Sequence, residues 1–256
     1  MDSSGRKGIG LARDGHVAIV RFSRPPSNYF DLELLTDLAD TFAEIDSDPE
    51  LRAIALLSEG TVFCAGAALT RIDPGSDGPE ELYGQAVRLF RTAKPIVVGV
   101  QGPAIGGGLG LAMIGDFRVA APEARFSANF VKIGINPGFG LTHTLPRLIG
   151  EQAAMQLFLT GRRIDGEHAV RIGLADALAP RDELAAETVR LAAEIGENAP
   201  LAVQATRSLV RGQLAEAVAA SAAAEARVQR RLIQTNDFRE GVRAVAEKRS
   251  GQWSGT

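Results

Sequence analysis

The sequence predicts an α/β fold followed by a helical C-terminal region. Two runs, AIALL at 53–57 and IVVGV at 96–100, are continuously apolar, as strands are when both faces of a parallel sheet are covered. Segments with helical spacing alternate with such strands, which favours right-handed crossovers between parallel strands. Beyond about residue 182, alanine, leucine, arginine and glutamate predominate, and this composition is typical of helices.

The elements of the predicted core follow in chain order. HVAIVRFS at 16–23 alternates polar and apolar residues like a half-buried strand, and the RPPSN after it predicts a turn. Residues 31–43 carry leucine and phenylalanine at helical spacing, with Asp31 placed to cap the helix. Between the two apolar strands, a loop rich in Pro, Gly and Asp leads into a helix predicted from about 79 to 92.

The C-terminal region is predicted to be helical, with a break near Asn198–Pro200. A last helix covers DFREGVRAVAEKR, in which Asp237 and Glu240 have the spacing of a capping pair. We therefore expect an α/β core over residues 1–195 and a separate helical region over residues 196–256.

Composition excludes several classes of function. A net charge of −3 over 256 residues does not favour a nucleic-acid surface. The single cysteine, Cys64, allows no internal disulfide and fits a reducing cytoplasm. Because no apolar run reaches the roughly 18 residues of a membrane span and the N-terminus lacks a signal-peptide pattern, we expect a cytoplasmic protein. The three histidines and one cysteine form no ligand cluster, so no metal is expected.

Two glycine-containing turns suggest a pair of backbone donors. FCAGAAL at 63–69 follows a strand, and Gly66 lies among small residues that let a ligand approach the backbone. The glycines at 106–108 open the predicted helix LGLAMIG, and the first N–H groups of a helix have no internal partner. If the two turns lie side by side, their N–H groups form an oxyanion hole.

Five segments together resemble a known family. In this order and spacing, FCAGAAL, PAIGGGLGLAMIGDFRVA, FSANFVKIGINPGFGLTHTLPRLIG, GLAD and NDFREGVRAVAEKR closely resemble the enoyl-CoA hydratase/isomerase (crotonase) family, from about His16 to Trp253. The resemblance implies a spiral of ββα units with a helical C-terminal trimerisation region, in a homotrimer or dimer of trimers. It also implies an acyl-CoA thioester as the ligand, with no cofactor beyond the coenzyme A of the substrate. The N–H groups of Ala67 and Gly107 match the positions that hold the thioester oxygen.

The resemblance also assigns the coenzyme A side of the site. Lys248 matches a basic position that approaches the CoA phosphate from a neighbouring subunit, although it is equally explained as a solvated lysine on the last helix. Arg24 and Arg71 add local positive charge. The positions that match those wrapping the adenine and pantetheine are Ala65, Ala67, Ala68, Leu69 and Thr70.

The acidic residues that family hydratases use are replaced in this chain. The two glutamate positions are Gly110 and Phe130, and a third position, aspartate in some relatives, is Gly138. Phe130 is therefore expected to line an apolar acyl pocket. A positioned acid or base contributes a factor of roughly 10²–10⁴ in rate, so ordinary hydration should be severely impaired.

Other residues are candidates to replace the missing acid or base. His143 is the first, since imidazole titrates near neutral pH, but it is also explained as a helix histidine bonded to a carbonyl. Asp31 has its alternative role as a helix cap, and Cys64 is expected to be a small buried hydrophobe. Tyr29 in PSNYFD is a further candidate. The remaining candidates, which are also explained as solvated surface, are Glu80, Glu81 and Tyr83.

These observations predict an acyl-CoA-processing enzyme that stabilises a thioester enolate in a backbone oxyanion hole and catalyses hydration, isomerisation or decarboxylation. Decarboxylation needs a stabilised enolate and no base, which suits a site without carboxylates. The alternatives are a non-catalytic acyl-CoA-binding protein and a structural subunit of a larger assembly. A cavity that is apolar beyond the two N–H groups would favour the binding protein or the decarboxylase.

Overall fold

The computed structural model describes residues 6–68 and 78–256, and these residues form the predicted mixed α/β fold. The strands of the described residues are β1 (Ile9–Asp14), β2 (Val17–Phe22), β3 (Ala53–Ser58), β4 (Ile96–Val100), β5 (Pro103–Ile105), β6 (Phe117–Ala120), β7 (Arg125–Ser127), β8 (Arg163–Asp165) and β9 (Ala177–Leu178). The helices are α1 (Leu32–Ser47), α2 (Gly78–Phe90), α3 (Gly107–Ala112), α4 (Leu141–Ile149), α5 (Glu151–Thr160), α6 (Gly166–Arg171), α7 (Leu184–Gly196), α8 (Pro200–Arg211), α9 (Leu214–Leu232) and α10 (Asn236–Ala246).

The strands form two sheets. The large sheet has the order β1-β2-β3-β4-β6-β9, in which β1 and β2 are antiparallel and every other pair is parallel. The small sheet has the order β5-β7-β8. The chain therefore passes from a strand of the large sheet to one of the small sheet and then into a helix, as in β4-β5-α3. This order is the ββα unit that the family resemblance implies.

The first predicted helix and its cap are confirmed. The Asp31 side chain accepts the Leu34 N–H at 3.0 Å, a cap that contributes about 1 kcal/mol to helix stability. The apolar face of α1 is buried against the large sheet, and its innermost residues are Leu34, Leu35, Leu38, Phe42 and Ile45.

On the other face of the sheet, α7 packs against β3 and β4. Gly99 makes the close approach possible, because a Cβ there would lie 2.6 Å from both Leu57 Cδ2 and Thr188 Oγ1. Both faces of the central strands are thus covered, which explains why β3 and β4 are apolar at almost every position.

The helix α8 is attached by charge rather than by burial. None of its residues is buried, and Leu209 is 84% exposed. Arg207 and Arg211 each place Nε 2.8 Å from the Asp116 carboxylate, which also accepts the Ile96 N–H at 2.8 Å. By contrast, α9 packs directly against α2 and α4. The boundary between 195 and 196 stays a prediction.

The predicted capping pair of the last helix is wrong. The helix α10 begins at Asn236, and its cap is the Thr235 hydroxyl, which accepts the Phe238 N–H at 3.1 Å. Asp237 instead accepts the N–H groups of Ser254 and Gly255, and Glu240 binds arginines at the end of the helix. The chain folds back over the helix N-terminus, and this long-range contact is not visible in the local spacing.

Within residues 6–68 and 78–256, no helix has the length and apolarity needed to cross a membrane. The same residues contain no cluster of His, Cys, Asp and Glu that could hold a metal ion.

Candidate functional site

The N–H groups of Ala67 and Gly107, called the amide pair below, come from two turns that the backbone holds together. Cys64 accepts the Ile105 N–H and donates its own N–H to the Pro103 carbonyl, both at 3.0 Å. A Cβ at Gly107 would lie 3.8 Å from Ala67 N, so the two amides are neighbours. A Cβ at Gly108 would overlap the Cys64 carbonyl oxygen, which explains the need for glycine there.

The amide pair has no acceptor among the described residues. Phe30 uses the carbonyl of Gly66 and the N–H of Ala68, each at 2.9 Å, and leaves the intervening Ala67 N–H unused. Gly106, at φ +56°, donates to Ser127 at 2.8 Å, while Gly107 N–H begins α3 without a partner. Two adjacent donors without acceptors can bind a single oxygen atom.

These donors line a cavity of about 980 Å³, called the site cavity below. Its other polar and aromatic lining includes Asn129, Tyr83 and Gln229, and α10 closes one side with Phe238 and Val242. Of the positions that the resemblance assigns to the oxyanion hole, coenzyme A and the acyl pocket, those that line it are Ala65, Ala67, Ala68, Gly107 and Phe130.

Aromatic rings fill the space beside the positions where the resemblance places acidic residues. A Cβ at Gly110 would lie 2.6 Å from Phe139 Cβ, and a Cβ at Gly138 would overlap the Tyr83 hydroxyl oxygen. Phe130, at the second glutamate position, is itself buried in the cavity lining. No carboxylate can be accommodated at 110 or 138 without moving a ring.

Phe139 is the centre of this aromatic cluster. Phe30, Tyr83 and Phe90 pack edge-on against it, with ring centroids at 5.6, 6.5 and 6.4 Å. Phe139 has φ +65°, a conformation that is uncommon for a bulky residue and needs support from its surroundings.

That support comes from Glu225 of α9. Its buried carboxylate accepts the N–H groups of Gly140 and Thr142, at 2.7 and 2.8 Å, and the Thr142 hydroxyl at 2.5 Å. Burial raises the pKa of Glu225, and these hydrogen bonds oppose the rise. Since Gly140 offers α4 no side-chain cap, Glu225 supplies the acceptors for the first turn of that helix.

One turn further along α9, Gln229 holds Tyr83. The Tyr83 hydroxyl donates to Gln229 Oε1 at 2.9 Å, and Gln229 Nε2 donates to the Asn136 carbonyl at 2.9 Å. Burial raises the pKa of Tyr83, so its hydroxyl stays protonated. The interpretation of Tyr83 as solvated surface is therefore wrong, because α9 covers it.

Sequence reasoning missed the roles of Glu225 and Gln229. The signal was their spacing: two polar residues four positions apart, on the face of α9 that also buries Ala222 and Ala226. A buried carboxylate and a buried amide on one helix face need partners, and here the partners belong to the site.

The other candidate residues lie in different places. His143 is half-buried on α4 and does not line the site cavity. Glu80 pairs with Arg230 at 2.6 Å, and Glu81 is exposed. Tyr29 lines the cavity but is 47% exposed. Cys64 is fully buried, as expected, and burial raises the pKa of its thiol to about 12.

The coenzyme A positions are only partly described. Arg24 lines the cavity and pairs with Glu33 at 3.0 Å, and Lys7 and Arg239 also line it. Lys248 is exposed beyond α10 and does not line the cavity of its own chain. Leu69, Thr70 and Arg71 lie outside the described residues.

Comparison with known proteins gives one consistent result. The family model described as enoyl-CoA hydratase/isomerase matches residues 12–256. A putative enoyl-CoA hydratase of Thermus thermophilus is 35% identical over 92% of this chain and 96% of its own length. A short-chain-enoyl-CoA hydratase of Clostridium acetobutylicum is 32% identical over 93% and 94%. Among solved structures, an enoyl-CoA hydratase/isomerase of Pseudoalteromonas atlantica has a TM-score of 0.88 at 30% identity, covering 97% of this chain and 100% of its own.

Proposed function

The chain belongs to the enoyl-CoA hydratase/isomerase family, and from this membership we propose that it binds an acyl-CoA thioester and stabilises the enolate of its acyl group. The carbonyl oxygen would sit on the amide pair, Ala67 and Gly107. The observation that carries the proposal is that the two residues line one cavity and that neither N–H group has an acceptor among the described residues.

The amide pair would act on charge that develops during the reaction. As the enolate forms, negative charge moves onto the thioester oxygen, and two fixed donors stabilise that charge more than they stabilise the neutral carbonyl. Loss of one such donor raises the barrier by about 2.7–4 kcal/mol in known cases. This is large enough for the amide pair to be the principal catalytic device.

Among enolate-forming reactions, decarboxylation of a malonyl-type thioester suits the lining best. The bond between the α-carbon and the carboxylate breaks, CO₂ leaves, and the electron pair forms the enolate, which then takes a proton from solvent at the α-carbon. No base is needed. Asp31 is the one carboxylate among the described lining residues, and it caps α1.

The second candidate is a non-catalytic acyl-CoA-binding protein, favoured by Phe130 at one acid position and by the rings packed against the glycines at the other two. In both cases Ala65, Ala68, Leu69 and Thr70 would surround coenzyme A, and Phe130 would contact the acyl chain. We also propose the homotrimer or dimer of trimers, with Lys248 reaching a neighbouring subunit, and a cytoplasmic location. His143 has no place in the proposed chemistry.

A mass-spectrometric screen of CoA thioesters tests the proposal. The purified protein is incubated with enoyl-, 3-hydroxyacyl- and malonyl-type thioesters, and products are compared with a protein-free control. Conversion of malonyl-type thioesters to the acyl-CoA one CO₂ smaller supports the decarboxylase. Tight binding without conversion of any thioester supports the binding protein, and absence of both overturns the proposal.

A further inference from the structure

We infer that Tyr83 faces the acyl group with its oxygen lone pairs and not with its proton, because Gln229 fixes the direction of the hydroxyl group. The inference rests on the proposed function, since it concerns an acyl group in the site cavity. It makes Tyr83 a specificity-determining residue and Gln229 a positioning residue that acts through it.

The direction of the hydroxyl follows from the chain of hydrogen bonds. The Asn136 carbonyl can only accept, so the amide nitrogen of Gln229 must face it, at 2.9 Å. The amide oxygen then faces Tyr83 at 2.9 Å, and an amide oxygen can also only accept. Tyr83 must therefore be the donor. Exposure of 8% for Tyr83 and 3% for Gln229 leaves little access for water to replace either bond.

The hydroxyl oxygen keeps two lone pairs, and Tyr83 lines the same cavity as the amide pair. A row of ring contacts connects Tyr83 with the amide pair. Tyr83 packs on Phe139, and Phe139 packs on Phe30. Phe30 Cζ in turn would lie 2.5 Å from a Cβ at Gly107. Phe139 itself is buried behind the cavity wall, while Phe30 and Tyr83 line the cavity. An acyl group whose oxygen sits on the amide pair thus occupies the same cavity as this hydrogen-bond acceptor.

Tyr83 is also held neutral, so it acts as a polar contact and not as a base. Burial is the main reason that its pKa is raised, and the nearby carboxylates of Glu225 and Glu80 act in the same direction. A phenol whose proton is committed to Gln229 accepts a hydrogen bond from a ligand hydroxyl. It has no proton left to donate to a ligand carbonyl or carboxylate at the same place.

This orientation sets a preference among acyl groups. A hydroxyl on the third acyl carbon, the first carbon beyond the enolate, satisfies the acceptor, whereas a carbonyl there places lone pairs against lone pairs. A carboxylate at this surface likewise receives no hydrogen bond from Tyr83. It is left less stabilised than in water, which favours its departure as neutral CO₂.

Titration calorimetry with three probes tests the inference: butanoyl-, 3-hydroxybutanoyl- and 3-oxobutanoyl-CoA. For the unmodified protein we expect the 3-hydroxy probe to bind about tenfold more tightly than the 3-oxo probe. In Tyr83→Phe the ratio should fall to about one. In Gln229→Met the freed hydroxyl can turn and donate, so the 3-oxo probe should gain affinity and the ratio should fall or reverse.

Tyr29→Phe is the matched control, because Tyr29 is the other tyrosine of the chain and also lines the cavity. It should leave the ratio unchanged. If butanoyl-CoA binds and the 3-hydroxy and 3-oxo probes bind with equal affinities, the inference is overturned and the proposed function stands. A ratio that persists in both Tyr83→Phe and Gln229→Met also overturns it. Failure of all three thioesters to bind overturns the proposed function and the inference together.

Discussion

The amide pair can be tested by removing a single hydrogen. Gly107→Pro deletes the N–H, whereas Gly107→Ala adds a Cβ and keeps the N–H. Gly107 is the first residue of α3, a position where proline is well tolerated because the N–H has no helical acceptor. Either new Cβ would lie 2.5 Å from Phe30 Cζ, so both variants are made in a Phe30→Leu background, in which the ring that causes the clash is absent.

The expected magnitude depends on whether the protein is an enzyme. If an enolate forms, the proline variant should lose a further factor of about 10²–10³ in kcat relative to the alanine variant, or about 2.7–4 kcal/mol. If the protein only binds a neutral thioester, the loss is one ordinary hydrogen bond of about 0.5–1.5 kcal/mol, seen as a change of roughly 2- to 13-fold in Kd.

The assay is steady-state kinetics on the thioester that the screen identifies, or calorimetric Kd if none is converted. Equal thermal unfolding midpoints for the proline and alanine variants show that the comparison is free of folding effects. Proline and alanine variants with equal kcat and equal Kd would refute the assignment of Gly107 N–H to the thioester oxygen.

Three further predictions concern stability, each measured by denaturant or thermal unfolding. Replacing Glu225 with Gln should lower the free energy of unfolding by about 1–3 kcal/mol near neutral pH. Because the folded-state pKa of Glu225 is raised above 4.5, the unmodified protein should lose stability as pH rises from about 4.5. The decrease of the free energy of unfolding with pH should be shallower in the variant. An unchanged decrease would contradict the raised pKa of Glu225. Asp116→Ala should cost about 2–3 kcal/mol and release α8 to proteolysis, while a change under 0.5 kcal/mol would mean that the arginines do not hold it. Gly110→Ala should lower the free energy of unfolding by about 1–3 kcal/mol in the native background and by much less in a Phe139→Gly background. Additive effects of the two substitutions in this double-mutant cycle would contradict the steric conflict between a side chain at 110 and the ring of Phe139.

Local sequence signals were sufficient where an element is decided by its own residues. The helix α1 carries both its apolar face and its cap in one segment, and β4 is a continuous apolar run, so both were predicted closely. The first strand, β1, was missed because five of its six residues are exposed or half-exposed and lack clear alternation. Its hairpin partner β2 and the intervening Gly15, at φ +54°, define it.

The site was predictable in its backbone and not in its side chains. The two glycine turns indicated neighbouring donors, because the residues of each segment by themselves show where a strand ends and where the backbone needs glycine. The rings that fill the space beside two of the acid positions depend on contacts between distant residues: Phe139 against Gly110, and Tyr83 against Gly138. No spacing rule connects such pairs, so the cavity lining and its support from α9 emerged only from the fold.

The packing of Phe139 against Gly110 has a consequence for how this protein could acquire a new reaction. A glutamate introduced at 110 alone has no room for its first side-chain carbon, and removal of Phe139 alone leaves the centre of the ring cluster empty. Each single step is harmful, and the benefit would come only when both changes are present. Stepwise selection for water addition is thus expected to stall, and libraries that randomise both positions together offer the practical way forward.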